Sequence, residues 1–319
     1  MSPGGGSVGG RAQRGIALIT AIVLVAIAAV IATAIGFNSA MSARRAAANF
    51  GVDQSLQIAE GAEALAAYAL KLNSSATRRD SPDQEWAKPY GPVEIDSGVV
   101  LEAALEDQQG KFNINNLVKS DGTDDPIALA EFERLLALLG LEPKWAPLLV
   151  DWLDADFEPS SPDGAEDSVY LSQVPPYRTA NIPVSSTSEL LALPGFGRAR
   201  FDRLAPYIAA LPPGTAVNVC TASGMVLDAM TPGTTQSFSE DAERLAARRQ
   251  SGCYPTLAEF STTMTQQQYS QLTGRFAETS NYFRLRSWIT IGTARFSLYS
   301  LMYRDGGQIR PILRTFGTE

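Results

Sequence analysis

The N-terminal part of the chain contains a long apolar segment that carries no charge. No charged residue occurs from Gly15 to Ala43, and residues 16–37 are almost uninterruptedly apolar. A helix of about 22 residues is long enough to cross the hydrocarbon core of a bilayer. Cleaved signal peptides have shorter apolar runs of about 7–15 residues. The sequence therefore predicts a retained single-pass membrane helix in contact with lipid over residues 16–38, although length alone fits a plain signal anchor too.

The helical pattern continues beyond the apolar segment and becomes amphipathic. Apolar or small residues follow one another at four- and three-residue spacing, at Ile58, Ala62, Leu65, Ala69 and Leu72. Such spacing places them on one stripe of a helix. The stripe is predicted to pack against a folded domain outside the membrane.

Helix signals recur between residues 121 and 212. Asp125 and Pro126 form a cap and first turn for a helix over 127–139 that ends at Gly140. A second helix is predicted over 143–153. Ser186 and Glu189 form a capping box for a short helix, and a further helix is predicted over 198–210. The segment is therefore predicted to be an all-helical domain.

Strand signals flank this helical segment. Residues 73–92 contain three prolines and are predicted to be a loop, and residues 93–115 to be extended. Near the C-terminus, residues 283–291 alternate between apolar and polar, and residues 294–304 follow after a turn. The last run, 308–316, contains Pro311, which favours an edge strand. The predicted fold class is α+β, with a small antiparallel sheet packed on the long helix and a helical domain inserted into it.

Composition limits the chemistry that the chain can perform. The 319 residues contain no histidine, which excludes Ser-His-Asp and Cys-His catalysis and histidine-ligated zinc. Two cysteines are too few for a cysteine-only zinc site. The net charge of −8 argues mildly against nucleic acid as a partner. Carboxylate chemistry remains possible, so a hydrolase that uses Asp154 and Glu166 is kept as an alternative to a non-enzymatic protein.

An acidic stretch over residues 151–167 offers several carboxylates around a loop with two prolines and a glycine. Calcium binds six to eight oxygen ligands, and clustered carboxylates repel one another unless a cation lies among them. The spacing does not match an EF-hand. From spacing alone, a solvated acidic loop and a calcium site both stay open.

The N-terminal junction resembles that of pilins and pseudopilins. Gln13-Arg14-Gly15-Ile16 precedes the apolar run, and in this family a prepilin peptidase cuts after the glycine. The resemblance implies a leader over residues 1–15, cleavage between Gly15 and Ile16, and Thr20 at the fifth mature position. Most family members have glutamate there, and its absence is typical of the K-type minor pseudopilin.

Further blocks resemble the K-type minor pseudopilin of the type II secretion system. They are D-W-L-D-A-D with G-A-E-D in 151–167, P-P-Y-R-T-A-N-I-P in 175–183, S-T-S-E-L in 186–190 and V-N-V-C-T-A in 217–222. The family usually has asparagine at the position of Cys220. The match covers most of residues 15–225. It implies pilin-like parts over 39–120 and 213–319 around an inserted helical domain over 121–212.

The resemblance also implies chemistry, location and partners. The helical insert of the family is expected to hold structural calcium, here with Asp154, Asp156, Glu166 and Asp167 as ligands and Asp151 as a second-rank candidate. The expected partners are the I- and J-type minor pseudopilins, the prepilin peptidase and the inner-membrane secretion platform. The expected location is the bacterial inner membrane, with the soluble domain in the periplasm, where it would form part of the pseudopilus tip. The protein is expected to have no enzymatic activity and to bind no nucleic acid.

Two local features carry further hypotheses. Leu193-Pro194-Gly195-Phe196-Gly197 resembles the turn of a helix-hairpin-helix, and Arg198, Arg200 and Arg203 follow it, so a membrane-anchored DNA-binding protein is the alternative function. A tight helix–helix turn is the simpler interpretation. Cys220 and Cys253 are predicted to form a disulfide, because the membrane signal places the domain outside the cytosol; two buried thiols are the alternative.

Overall fold

A computed structural model describes residues 12–76, 79–160, 162–231 and 237–317, with side chains placed for 16–73 in the first of these ranges. The helices, in chain order, are α1 (Ala12–Ala76), α2 (Pro126–Leu138), α3 (Trp145–Leu153), α4 (Asp167–Tyr170), α5 (Gly197–Leu204), α6 (Gly224–Met230), α7 (Ala242–Arg249), α8 (Leu257–Ser261) and α9 (Gln266–Gln271). The strands are β1 (Tyr90–Asp96), β2 (Val99–Asp107), β3 (Phe112–Asn113), β4 (Ile208–Ala209), β5 (Val217–Asn218), β6 (Phe276–Ala277), β7 (Tyr282–Ile291), β8 (Ala294–Asp305) and β9 (Gln308–Phe316).

The chain divides into two compact units, residues 1–56 and residues 57–319. In the first unit, the described side chains of 16–40 are exposed along α1, including Leu24 and Val25. Among the described residues, one helical stretch, Ile16–Asn73, is long and apolar enough to cross a membrane. This agrees with the predicted membrane-spanning helix in length and composition.

The second unit contains a five-stranded antiparallel sheet in the order β1-β2-β7-β8-β9. β9 lies at one edge, where Pro311 is tolerated because an edge strand has one unpaired side. The α+β class with a long N-terminal helix and an antiparallel sheet is confirmed.

One face of this sheet packs on the C-terminal part of α1. The buried helix positions are Ala59, Ala62, Ala66 and Leu70, which share a core with Phe283 and other residues of the sheet. The predicted stripe is right in part, since Ile58, Ala62 and Ala69 contact this core whereas Leu65 and Leu72 are 52% and 51% exposed. Alanines face the sheet because their small side chains allow the helix to lie close to it.

Glu63 is also buried on the sheet-facing side of α1, although glutamate side chains are mostly exposed in proteins. Its carboxylate accepts a hydrogen bond of 2.6 Å from the Ser300 hydroxyl, and its Oε1 and Oε2 pair with the Arg314 guanidinium at 2.8 and 2.6 Å. A buried charge that is paired and hydrogen-bonded is tolerated. This pairing explains why Glu63 can lie inward.

The helical part of the second unit has its own core around α2, α3 and α5, which includes Phe132, Leu149, Tyr170 and Phe196. The predicted helices over 127–139 and 143–153 correspond to α2 and α3. The predicted helix over 198–210 was too long, because α5 ends at Leu204. Pro206 cannot donate a helix hydrogen bond, and residues 208–209 instead pair in parallel with β3.

The segment between β5 and β6 is helical, although it lies in the part over 213–319 that the resemblance implies to be pilin-like. It contains α6, α7, α8 and α9 around a separate core that includes Leu227, Phe238, Phe260 and Phe276. The predicted disulfide between Cys220 and Cys253 is present, with Cα atoms 4.6 Å apart. It fastens the α7–α8 connection to the loop after β5.

Candidate metal centre

The acidic cluster forms where α3 ends and α4 begins. Asp151 lies in the last turn of α3, and Asp154 follows as the residue that caps the helix C-terminus. Glu166 precedes the first residue of α4. Trp152 and Tyr170, whose ring centroids are 5.1 Å apart, hold the two helices together. The end of α3 and the start of α4 therefore lie close together, which brings Asp154 and Glu166 to one place.

Three of the predicted ligands converge. Asp154, Asp156 and Glu166 each offer a carboxylate oxygen, and these oxygens all lie within 4.8 Å of one another. Asp154 and Glu166 are buried, whereas Asp156 is exposed. The three carboxylates thus form a half-open group that a cation can reach from solvent.

Two buried carboxylate oxygens in this group have no hydrogen-bond partner among the described residues, Asp154 Oδ1 and Glu166 Oε1. Leaving buried acceptors unsatisfied costs about 1–3 kcal/mol each, and more when they are charged. A cation bound between them would satisfy both. The arrangement fits calcium, which prefers carboxylate and carbonyl oxygens.

Repulsion within the cluster is visible in the acidity of its members. Burial, followed by the charges of Asp156, Asp151 and Asp124, raises the pKa of Asp154 from its ordinary value to about 7. Burial, and then the charge of Asp151, also raises the pKa of Glu166. Without a bound cation these groups therefore resist simultaneous ionisation.

The second-rank candidate Asp151 has a structural role in this loop. Its side chain is fully buried and accepts hydrogen bonds of 3.1 Å from the Ser160 amide. Gly164 lies against both residues, and a Cβ at that position would overlap with Asp151 Oδ2 and with the Ser160 backbone. Asp151 therefore shapes the loop that carries the other carboxylates.

Asp167, the fourth predicted ligand, is not among the converging groups. Its carboxylate pairs with the Arg178 guanidinium at 2.9 Å and accepts hydrogen bonds from the amide and hydroxyl of Thr179. A role for Asp167 as a ligand stays a prediction, since it would require this ion pair to open.

Sequence reasoning missed two oxygen-bearing residues near the cluster. Asp124 precedes α2 and is close enough for its charge to raise the pKa of Asp154. Asn181 adopts a positive φ of 50° and donates to the Asp156 carbonyl at 2.9 Å, while its own Oδ1 is buried without a partner among the described residues. Asn181 lies in the P-P-Y-R-T-A-N-I-P block, which was the available signal.

The helix-hairpin-helix-like turn does not present its arginines as a phosphate-binding set. Arg203 donates to the Leu139 carbonyl, and Arg200 donates to the Gly195 and Phe196 carbonyls at 3.1 and 3.0 Å. Arg198 pairs with Asp202 at 2.7 Å. These contacts favour the tight helix–helix turn over the DNA-binding alternative.

Comparison with known proteins decides the family. Residues 110–213 match a family model described as type II secretion system (T2SS), protein K. The type II secretion system protein K of Pseudomonas aeruginosa is 33% identical over 96% of this chain and 94% of its own length. That of Klebsiella pneumoniae is 32% identical over 96% of this chain and 97% of its own length. The chain belongs to the type II secretion system protein K family.

The fold agrees with this family membership. A chain in the crystal structure of the GspK-GspI-GspJ complex from enterotoxigenic Escherichia coli matches with a TM-score of 0.71, covering 86% of this chain and 100% of its own, at 24% identity. The interpretation of the chain as a minor pseudopilin of the type II secretion system is confirmed.

Proposed function

We propose that this protein K occupies the tip of the pseudopilus, in complex with I- and J-type minor pseudopilins, and initiates pseudopilus assembly for protein export. The observation that carries the proposal is the apolar outer face of α1 in the second unit, where Leu65 is 52% and Tyr68 is 61% exposed. They lie three residues apart on one helix face, so they would be covered by another apolar helix. The similarity to a chain of the GspK-GspI-GspJ complex supports the choice of partners.

The position at the tip is supported by Thr20. The resemblance to pilin-like proteins implies that a glutamate at the fifth mature position would pair with the N-terminal amine of a neighbouring subunit. Thr20 has no charge, and its hydroxyl donates to the Ala17 carbonyl within the same helix at 3.0 Å. A subunit without this carboxylate would fit the position that has no neighbour above it.

The proposed setting is the bacterial inner membrane, with residues 16–38 in lipid, contact with the secretion platform, and residues 57–319 in the periplasm. The long apolar helix found among the described residues and the disulfide support this setting, because disulfides persist in oxidising compartments. The protein would act by assembly and would not catalyse a reaction.

Calcium is the proposed structural ion of the acidic cluster. Asp154, Asp156 and Glu166 would supply carboxylate ligands, and their convergence together with the two unsatisfied buried oxygens supports the assignment. The ion would stabilise the loop between α3 and α4 by neutralising the mutual repulsion of these carboxylates.

Complex formation is expected to depend on the apolar face of α1. Full-length protein in neutral detergent, mixed with the I- and J-type pseudopilins of the same organism in calcium, should elute as one species with the mass of a 1:1:1 complex in size-exclusion chromatography with light scattering. Leu65→Glu should weaken that complex at least tenfold, because it would bury an unpaired charge. Glu158→Lys, an exposed charge change on the acidic loop, should leave it intact. If the native chain stays monomeric with both partners, the tip assignment loses its support.

Processing at Gly15 is a separate expectation. Coexpression with a prepilin peptidase should shorten the chain by residues 1–15, which intact-mass spectrometry detects. Gly15→Val should keep the full mass, because a branched side chain would obstruct cleavage after this position. Unchanged cleavage of the variant, or removal of a different number of residues from the native chain, would contradict the proposed site.

A further inference from the structure

A cleft of about 690 Å³ lies between the outer face of the sheet and the helical part of the second unit. Its floor comes from alternate residues of β2, β7, β8 and β9, which face away from α1 because side chains alternate along a strand. Its opposite wall comes from the segment 185–188 and from α5. The volume is within the range of about 300–1,000 Å³ that is usual for ligand pockets.

The floor carries a concentrated positive charge. Lys111, Arg284 and Arg286 all contact one carboxylate, that of Glu106, with the Lys111 Nζ–Oε1 distance at 3.0 Å and the Arg286 Nη2–Oε2 distance at 2.7 Å. Three cations thus share one anion. On the wall, Arg198 and Asp202 cancel each other. The charged residues lining the cleft therefore sum to +2, in a chain whose net charge is −8.

The cations affect one another strongly. Burial lowers the pKa of Lys111. The charge of Glu106 opposes this change, and the charge of Arg284 adds to it. The attraction of Lys111 and Arg284 prevails over burial at Glu106, whose pKa is lowered to about 2. Glu106 is therefore ionised throughout the physiological pH range, but its single negative charge does not neutralise the three positive charges around it.

Arg286 is only partly engaged by Glu106. Arg286 Nε is buried and makes no hydrogen bond within the part of the chain that the structure describes, while 37% of the Arg286 side chain is exposed. A guanidinium presents its donors in a planar fork that matches a carboxylate. A carboxylate from another molecule would bind the part of the Arg286 side chain that remains exposed.

Apolar side chains lie beside these cations. Phe201, Leu301 and Leu313 line the same cleft, and Leu313 is 46% exposed. A small inorganic anion would leave this apolar surface uncovered, whereas a peptide with both acidic and apolar side chains would cover it and neutralise the cations. This combination selects an acidic peptide as the occupant.

We propose that the cleft between the sheet and the helical part of this protein K binds an acidic, partly apolar peptide segment of another protein, with Arg286 as its carboxylate-binding residue. The site lies away from the metal centre and from the apolar face of α1. Because it is tested on the chain alone, its failure is distinguishable from failure of the tip assignment.

The test uses full-length protein in neutral lipid nanodiscs and a fluorescein-labelled octapeptide of alternating glutamate and valine, followed by fluorescence anisotropy. The native chain should bind this peptide, with an affinity that falls as salt rises. A peptide with glutamine in place of glutamate should bind at least tenfold more weakly. Equal affinity for the two peptides would overturn the proposal.

Variants locate the site. Arg286→Gln should weaken binding about tenfold, because it removes a charge-assisted hydrogen bond while Lys111 and Arg284 still pair with Glu106. Arg295→Gln is the matched control on the same sheet, since Arg295 pairs with Glu102 at 3.2 Å outside the cleft; it should change the affinity less than twofold. Glu106→Gln should tighten binding severalfold, provided that its unfolding temperature shows a folded protein.

Three further outcomes would overturn the proposal. The first is equal binding by Arg286→Gln and the native chain, and the second is equal weakening by Arg286→Gln and Arg295→Gln. The third is that millimolar inorganic phosphate displaces the glutamate peptide but does not change the affinity for the glutamine peptide. That result would assign the cleft to small anions.

Discussion

Asp154→Asn is expected to remove most of the calcium-dependent stabilisation of this protein K. Calcium at 100 to 1,000 times its Kd would stabilise the native chain by about 2.7–4.1 kcal/mol. For a unit of this size that corresponds to a rise in Tm of roughly 5–15 °C. The variant replaces a buried carboxylate that would face the ion, so its Tm should change by less than about 3 °C when calcium is added.

The same variant should behave differently when calcium is chelated. Its calcium-free form should be at least as stable as the native chain at pH 7.5, because asparagine removes the repulsion that Asp154 feels from Asp156 and Asp151. Asp163→Asn, an exposed change in the same loop, should keep the native calcium response. Equal calcium shifts in Asp154→Asn and Asp163→Asn, measured by differential scanning calorimetry, would contradict the proposed ligand.

The pH dependence of stability follows from the raised pKa of Asp154. Its folded-state pKa of about 7 lies above its unfolded value near 4, so the folded protein holds this proton more tightly. The resulting contribution to stability is fully present below about pH 4 and is lost as pH rises through about 7. Calcium-free native protein should therefore lose stability over this range more steeply than Asp154→Asn does.

The sequence predicts elements well where a local signal is strong and specific. Asp125 with Pro126 marks the start of α2, and the Asp125 side chain indeed accepts from the Ile127 and Ala128 amides at 2.9 and 3.1 Å. The alternation in residues 283–291 likewise predicts β7. These signals depend on neighbours within four residues, so tertiary contacts do not override them.

Prediction failed where tertiary contacts decide the outcome. The predicted stripe on α1 included Leu65 and Leu72, which are exposed because the sheet packs closely on the alanines of this helix. Glu63 is buried because Arg314, which is distant in sequence, neutralises it. No pattern within α1 contains that information.

The helices between β5 and β6 are a different kind of failure, because their signals were present. Thr256 with Glu259 and Thr265 with Gln268 form capping boxes that start α8 and α9. Both helices have only five or six residues, too few to show an apolar period. Short helices of this kind are found by their caps and not by periodicity.

The candidate metal site was likewise predicted only in part, because some of its residues are close in sequence and others meet only in the folded chain. Spacing singled out the acidic stretch 151–167 but left a solvated loop and a calcium site both open, and the family resemblance then supplied Asp154, Asp156 and Glu166 as ligands. Asp124 and Asn181 were missed, since α2, α3 and the segment after α4 bring them close only in the folded chain. Residue spacing therefore identifies the loop, whereas packing completes its surroundings.

Arg275→Met is expected to produce the largest loss of stability among single changes considered for this chain. The Arg275 guanidinium joins two carboxylates of the helical part, with Nη1 2.8 Å from Asp125 Oδ2 and Nη2 2.7 Å from Glu131 Oε2. Glu131 is fully buried. Removing one partner of a buried ion pair leaves an uncompensated charge and costs about 3–5 kcal/mol.

The loss should be visible as a fall in Tm of roughly 6–15 °C in calorimetry. Arg244→Met is the matched control, because Arg244 forms an exposed pair with Asp241 at 3.6 Å and should cost less than about 1 kcal/mol. If the loss of stability arises from the buried, unpaired charge of Glu131, the double variant Arg275→Met, Glu131→Gln should be more stable than Arg275→Met alone.

Acidity gives an independent check of this cause. Burial already raises the pKa of Glu131 while Arg275 opposes that rise, so loss of Arg275 should raise it further. A carboxyl group with a raised folded-state pKa favours folding at low pH and loses that contribution as pH increases. The difference in unfolding free energy between Arg275→Met and the native protein should therefore become smaller as the pH is lowered from 7.5 to 5. A gap that is constant over this range would show that Arg275 stabilises the chain through packing of its aliphatic stem and not through the charge of Glu131.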